Sequence, residues 1–156
     1  MRTTSLTLAS LALALVAGPV LLAGPGLAQG KPLPPPASGA TPVVELTIAL
    51  KDGKPVCDPA ELRLPADTNV TINVVSSADA PVTLTAAGQF ENGRVLHADG
   101  DLVHVASEKG YTVKQNGRGT LKLRTMPAGE TPYGCTSTRN ASAPFVGKLV
   151  LTPPAQ

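Results

Sequence analysis

Residues 126–151 read M-P-A-G-E-T-P-Y-G-C-T-S-T-R-N-A-S-A-P-F-V-G-K-L-V-L. Pro127-Ala128-Gly129 is a tight turn, and a short strand follows it that ends at Cys135. A loop of small polar residues comes next, and Phe145 to Leu151 forms a closing strand. Between Cys135 and Gln156 the chain contains no His and no Met. That absence restricts the chemistry available at this end of the molecule as much as the Cys itself does.

Upstream, the same short-strand grammar recurs. In Val43–Leu50 the residues Val44, Leu46, Ile48 and Leu50 alternate with Glu45, Thr47 and Ala49, the two-residue period of a strand with one buried face. Asp52-Gly53 makes a turn. Leu62 and Leu64 alternate in Glu61–Leu64, and Val70, Ile72 and Val74 in Asn69–Val75. Val82–Thr85 is a shorter strand, and Leu121 and Leu123 point inward from Thr120–Thr125. Asp99-Gly100, between Arg94–His97 and Leu102–Val105, is the signature of a two-residue hairpin, and Asn116-Gly117 repeats it. No long window carries a helical period. Many short strands at even spacing make an all-β sandwich or barrel.

The amino terminus is expected to be removed. Arg2 precedes an apolar run from Leu6 to Leu22, and Gly26-Leu27-Ala28 offers small residues for cleavage, so residues 1–28 read as a signal peptide. Residues 29–41 form a Pro-rich linker, in which Pro32, Pro34, Pro35 and Pro36 favour an extended chain. One domain over 42–152 and a tail over 153–156 complete the organisation. The expected location is periplasmic or secreted, with no membrane span once the signal is gone. The formal charge of +2, from 13 basic and 11 acidic residues, gives no argument for nucleic acid. No Ser or Cys stands in a recognisable triad motif, and no HExxH or phosphate loop occurs, so an enzyme is not expected. The two cysteines, Cys57 and Cys135, favour one disulfide in an oxidising compartment.

The run Cys57-Asp58-Pro59, Glu61-Leu62-Arg63-Leu64-Pro65-Ala66, Asn69-Val70-Thr71-Ile72 resembles the second and third strands of cupredoxins. The 126–151 stretch resembles their last two strands. A Cys before the Pro and another after Tyr133 are similar to the cupredoxin-like domain of EfeO-type periplasmic iron-uptake proteins. The resemblance implies a cupredoxin-like Greek-key β-sandwich of about seven to eight strands. It also implies a role in copper or iron handling, with a metal ion or a periplasmic or membrane transport protein as partner. A blue-copper centre takes two His, one Cys and a weak axial Met. Cys135 matches the Cys position, but Thr, Ser, Arg, Asn and Pro stand where the later ligands belong. The acidic residue of the EfeO branch is likewise replaced by Val82-Thr83-Leu84-Thr85.

In such a fold Cys57 and Cys135 reach the same end of the sandwich, where they form a disulfide or, as thiolates, a site for a soft ion such as Cu(I). His97 and His104 are a second candidate metal pair. With Asp99-Gly100 at a hairpin tip, His97 faces Leu102 and shares a face with His104, about 7–8 Å away on the diagonal. Met126 is either a soft ligand or core filling, and Glu91, Asp99, Asp101 and Glu108 make a solvated face. Arg139 is a surface charge or an anion contact. Two functional classes therefore stand side by side: an exported cupredoxin-like protein with accessory metal binding, and a metal-free, disulfide-locked module with a structural or protein-binding role.

Overall fold

The computed structural model describes residues 41–91 and 93–153. The expected signal peptide, all but the last residue of the expected linker and most of the expected tail lie outside the described residues. Among the described residues eleven strands form: β1 (Val43–Lys51), β2 (Lys54–Asp58), β3 (Glu61–Pro65), β4 (Asn69–Ser76), β5 (Val82–Ala86), β6 (Val95–Gly100), β7 (Leu102–Val105), β8 (Gly110–Val113), β9 (Arg118–Arg124), β10 (Gly129–Ser137) and β11 (Asn140–Thr152). A single 3₁₀ turn, Ala106–Glu108, separates β7 from β8.

The expected count of seven to eight strands is too low. β2 and β8 are the elements the sequence concealed. β2 carries Pro55 and two charged ends, which read as loop, yet as the outermost strand of its sheet it tolerates a residue without an N–H. β8 has four residues and opens on Gly110, too short to display a period.

The strands form two sheets, in the orders β2-β1-β4-β9-β6 and β3-β11-β10-β5-β8-β7. Most ladders are antiparallel, while β1 runs parallel to β4 and β3 parallel to β11. The core lies between the sheets and follows the sequence alternation. Leu46 and Ile48 of β1, Val70, Ile72 and Val74 of β4, and Leu121 and Leu123 of β9 meet Leu62, Leu64, Leu84, Leu149 and Leu151 of the other sheet, all buried. Val44 and Leu50, at the two ends of β1, are partly buried against them. Each fully buried aliphatic side chain contributes about 1.5–3 kcal/mol, which is how a core without Trp holds together.

The turn dipeptides do two different jobs. Asp52 and Gly53 both have positive φ, 52° and 71°, and pair Lys51 with Lys54 in the two-residue β1–β2 hairpin. Asp99-Gly100 does not make a hairpin, which corrects the expectation. Only Gly100 has positive φ, 75°, and β6 pairs with β9 while β7 pairs with β8 in the other sheet. The chain crosses between sheets here. Gly100 passes so close to β9 that a Cβ would lie 2.5 Å from the Arg118 carbonyl oxygen. The Asp101 N–H then donates to that same carbonyl at 2.7 Å. Asn116-Gly117 also turns between sheets, from β8 to β9, with Asn116 at φ 50° and the Gly117 N–H donating to Lys114 O at 3.0 Å.

Buried polar groups at the Met126 end of the sandwich are satisfied. The Thr125 hydroxyl donates to Pro65 O at 2.7 Å and accepts the Thr68 N–H at 3.0 Å. Fully buried Gln89 donates to Arg124 O and accepts the Met126 N–H, both at 3.0 Å.

Candidate functional site

β2 sends Pro55 and Cys57 inward, and β10 sends Tyr133, Cys135 and Ser137 inward, each by strand alternation. Cys57 and Cys135 are bonded to each other, with Cα atoms 6.5 Å apart and a sequence separation of 78. The bond joins the outermost strand of one sheet to an interior strand of the other. Neither cysteine reaches solvent, at 1% and 0% exposure.

A second tie lies beside it. Pro59 is two residues past Cys57 and Tyr133 two residues before Cys135, and the Tyr133 hydroxyl donates to the Pro59 carbonyl oxygen. Burial, and secondarily the Asp58 carboxylate, push the Tyr133 phenol up to about 12. The ring needs Gly147 opposite it on β11: a Cβ there would strike the Tyr133 ring and lie 2.6 Å from Ala60 O. Phe145 packs against Tyr133 with the two rings tilted and their centroids 5.9 Å apart. In the sequence Tyr133 and Gly147 stand out only as parts of a pattern. The mirrored two-residue spacing around the two cysteines was the available signal for Tyr133 and Pro59.

After Cys135 the register slips. Cys135 pairs with Phe145, but Ser137 pairs with Asn140, so β11 carries extra residues between those two positions. Arg139 at the turn donates to Asp79 Oδ2 at 2.7 Å, an exposed ion pair on the wall of an open concavity of about 580 Å³ that Leu50, Ser77 and Asn140 also line.

The two histidines are not brought onto one hairpin, which corrects their expected register. His97 stands on β6 opposite Lys122, with Nε2 3.4 Å from Asp99 Oδ2. His104 stands on β7 opposite Tyr111, its ring 5.1 Å from the Tyr111 ring. Met126 packs against the core. Among the acids, Asp101 accepts the Arg118 N–H at 3.1 Å. That bond, with further help from Lys114 and against a smaller effect of burial, holds its carboxyl below the usual value. Glu91 lies 3.6 Å from Lys109 Nζ. Among the described residues no three His, Cys, Asp or Glu side chains converge as a metal site.

No family model and no curated protein matches the chain. Solved structures do. A multicopper oxidase superposes with a TM-score of 0.50 at 14% identity, over 72% of this chain and 45% of its own. The laccase-like multicopper oxidase CueO from Ochrobactrum sp. gives 0.54 at 12% identity, over 74% of this chain and 32% of its own. Auracyanin B gives 0.44 at 18% identity, over 73% of this chain and 92% of its own. This chain thus spans less than half the length of the two oxidases. At such identities the likeness is one of fold, carried by the two oxidases, and the fold is a cupredoxin-like β-sandwich.

The residues present do not fit a blue-copper ion. The sulfur of Cys135 is bonded to Cys57, the loop behind it supplies no imidazole or thioether, and His97 and His104 stand on strands of different sheets.

Proposed function

We propose that this chain is an exported cupredoxin-like module that works through its surface, as a structural or protein-binding unit, with a disulfide in the place of a copper centre. One observation carries the reading: Cys135, at the position where the cupredoxin pattern puts the metal thiolate, spends its sulfur on Cys57, and both are buried. A bonded sulfur is not available as a thiolate ligand. The apolar run Leu6–Leu22, the small residues Gly26-Leu27-Ala28 and the disulfide all favour a compartment outside the reducing cytoplasm. Among the described residues no helix is long and apolar enough to cross a membrane. A place beside a periplasmic or membrane transport protein, as the EfeO-type resemblance implies, suits a module that meets protein rather than metal.

The test is alkylation of unreduced protein followed by intact-mass measurement, together with melting in chelator and in Cu(I). The expected result is no alkylated cysteine and the same melting temperature in both. Two alkylated cysteines, or a melting temperature that rises with Cu(I), would return Cys57 and Cys135 to the role of metal ligands.

A further inference from the structure

The burial of the bridge, taken with the hydrogen bond beside it, fixes an order of events. We infer that the Cys57–Cys135 bond closes while the sandwich is still open and is then sealed, so that no thiol can reach it until the sheets part. The inference rests on the disulfide reading above and extends it to the reaction that must come first.

A thiolate exchanges with a disulfide only by attacking one sulfur along the S–S axis, so rate depends on access. Here Cys57 is 1% exposed and Cys135 is 0% exposed. β2 and β10 belong to opposite sheets, and the bond lies between the layers. Tyr133 precedes Cys135 by two residues on the same inward face of β10, with its ring against the Gly147 position and its hydroxyl tied to Pro59 O. The 78-residue separation spans β3 to β9, so Cys57 is synthesised long before its partner. Cys57 therefore waits as a thiol, or as a mixed disulfide, until β10 arrives.

The reaction that supplies the bridge is thiol–disulfide exchange with a disulfide-bearing oxidant. One Cys thiolate attacks the oxidant's disulfide, forms a mixed disulfide and expels one thiol of the oxidant. The second Cys thiolate then attacks the protein sulfur of that mixed disulfide, forms Cys57–Cys135 and expels the other thiol. Two electrons pass to the oxidant, and the two protons of the cysteines end on its thiols. Docking of the sheets and the Tyr133–Pro59 hydrogen bond follow.

The full chain is tested with dithiothreitol, quenched by alkylation and counted by mass. The expected rate in native buffer is roughly a thousandfold or more below that in 6 M guanidinium, because opening limits access. Added urea, below the unfolding transition, should accelerate the reaction in proportion to its effect on unfolding. Tyr133→Phe, which keeps the ring and removes the hydrogen bond, should speed native reduction roughly five- to thirtyfold. Native reduction within tenfold of the denatured rate, or a rate indifferent to urea, would overturn the inference and leave the bridge itself intact. Tyr133→Phe with an unchanged rate would remove Tyr133 from the seal. Thiols already alkylated before any reductant would instead sink the disulfide reading.

Discussion

Removing the bridge should cost this domain a large share of its stability. The bond closes a 78-residue loop. On the chain-entropy account that constraint on the unfolded state is worth about 4–5 kcal/mol at 25 °C, against a total of about 5–15 kcal/mol for a domain of this kind. Cys57→Ala and Cys135→Ala each delete the same single bond. Each also leaves a small void at a buried position, worth about 1 kcal/mol. Each variant should therefore lose about 5–6 kcal/mol, and the double variant about 6–7 kcal/mol rather than the sum. The resulting coupling, about 4–5 kcal/mol, is the bond. In thermal terms a single variant should melt roughly 20 °C lower. Urea unfolding followed by circular dichroism reads this directly, and the slope should steepen because an uncrosslinked chain exposes more surface when it unfolds. The result that refutes the reasoning is additivity: two single losses of about 1 kcal/mol each that simply sum in the double variant would mean that no bond joins the two positions.

Other consequences follow from neighbouring residues. Tyr133→Phe leaves the Pro59 carbonyl without its donor and should destabilise by about 1–2 kcal/mol, measurable as a shift of the urea midpoint at constant slope. Gly147→Ala forces a Cβ against the Tyr133 ring and Ala60 O and should cost about 1–3 kcal/mol, a cost that Tyr133→Ala in the same chain would partly relieve. Tyr133 also sets an alkaline limit. Its folded value of about 12 lies above the ordinary 10.0, so its contribution is complete below pH 10 and is lost as pH rises towards 12; a flat stability profile across that window would contradict its burial. Cu(II) added to the oxidised protein should produce no intense band near about 600 nm, where copper–thiolate centres absorb, and the appearance of one would show that Cys135 is free.

The fold was written plainly wherever a strand had one wet face. Leu46 and Ile48, Val70 to Val74, and Leu121 and Leu123 alternate in sequence and are buried as they alternate. The bridge was readable too, because two cysteines in one chain leave a single intramolecular pair. What could not be read depended on partners distant in sequence. Asp99-Gly100 carries the letters of a hairpin, but whether the next strand folds back or crosses over depends on whether β8 or β6 offers the better ladder to β7. The shared face expected of His97 and His104 rested on that turn, so the error in topology became an error in their register. Tyr133 and Pro59 lie 74 residues apart, and a tyrosine does not announce which carbonyl it will find.

The slipped register behind Cys135 has a meaning for how this protein can change. Between Phe145, held opposite Cys135, and Asn140, held opposite Ser137, the outgoing strand carries more residues than the incoming one can match. In a copper protein the corresponding loop is constrained by its ligands, whose spacing the ion dictates. Here both borders are anchored by the ladder and the bridge, and Ala141 to Pro144 oppose nothing on β10. Lengthening such a segment costs only about 0.6 kcal/mol for each doubling, so it is where this chain can accept grafted epitopes or lineage-specific insertions while the rest of the sandwich keeps its form.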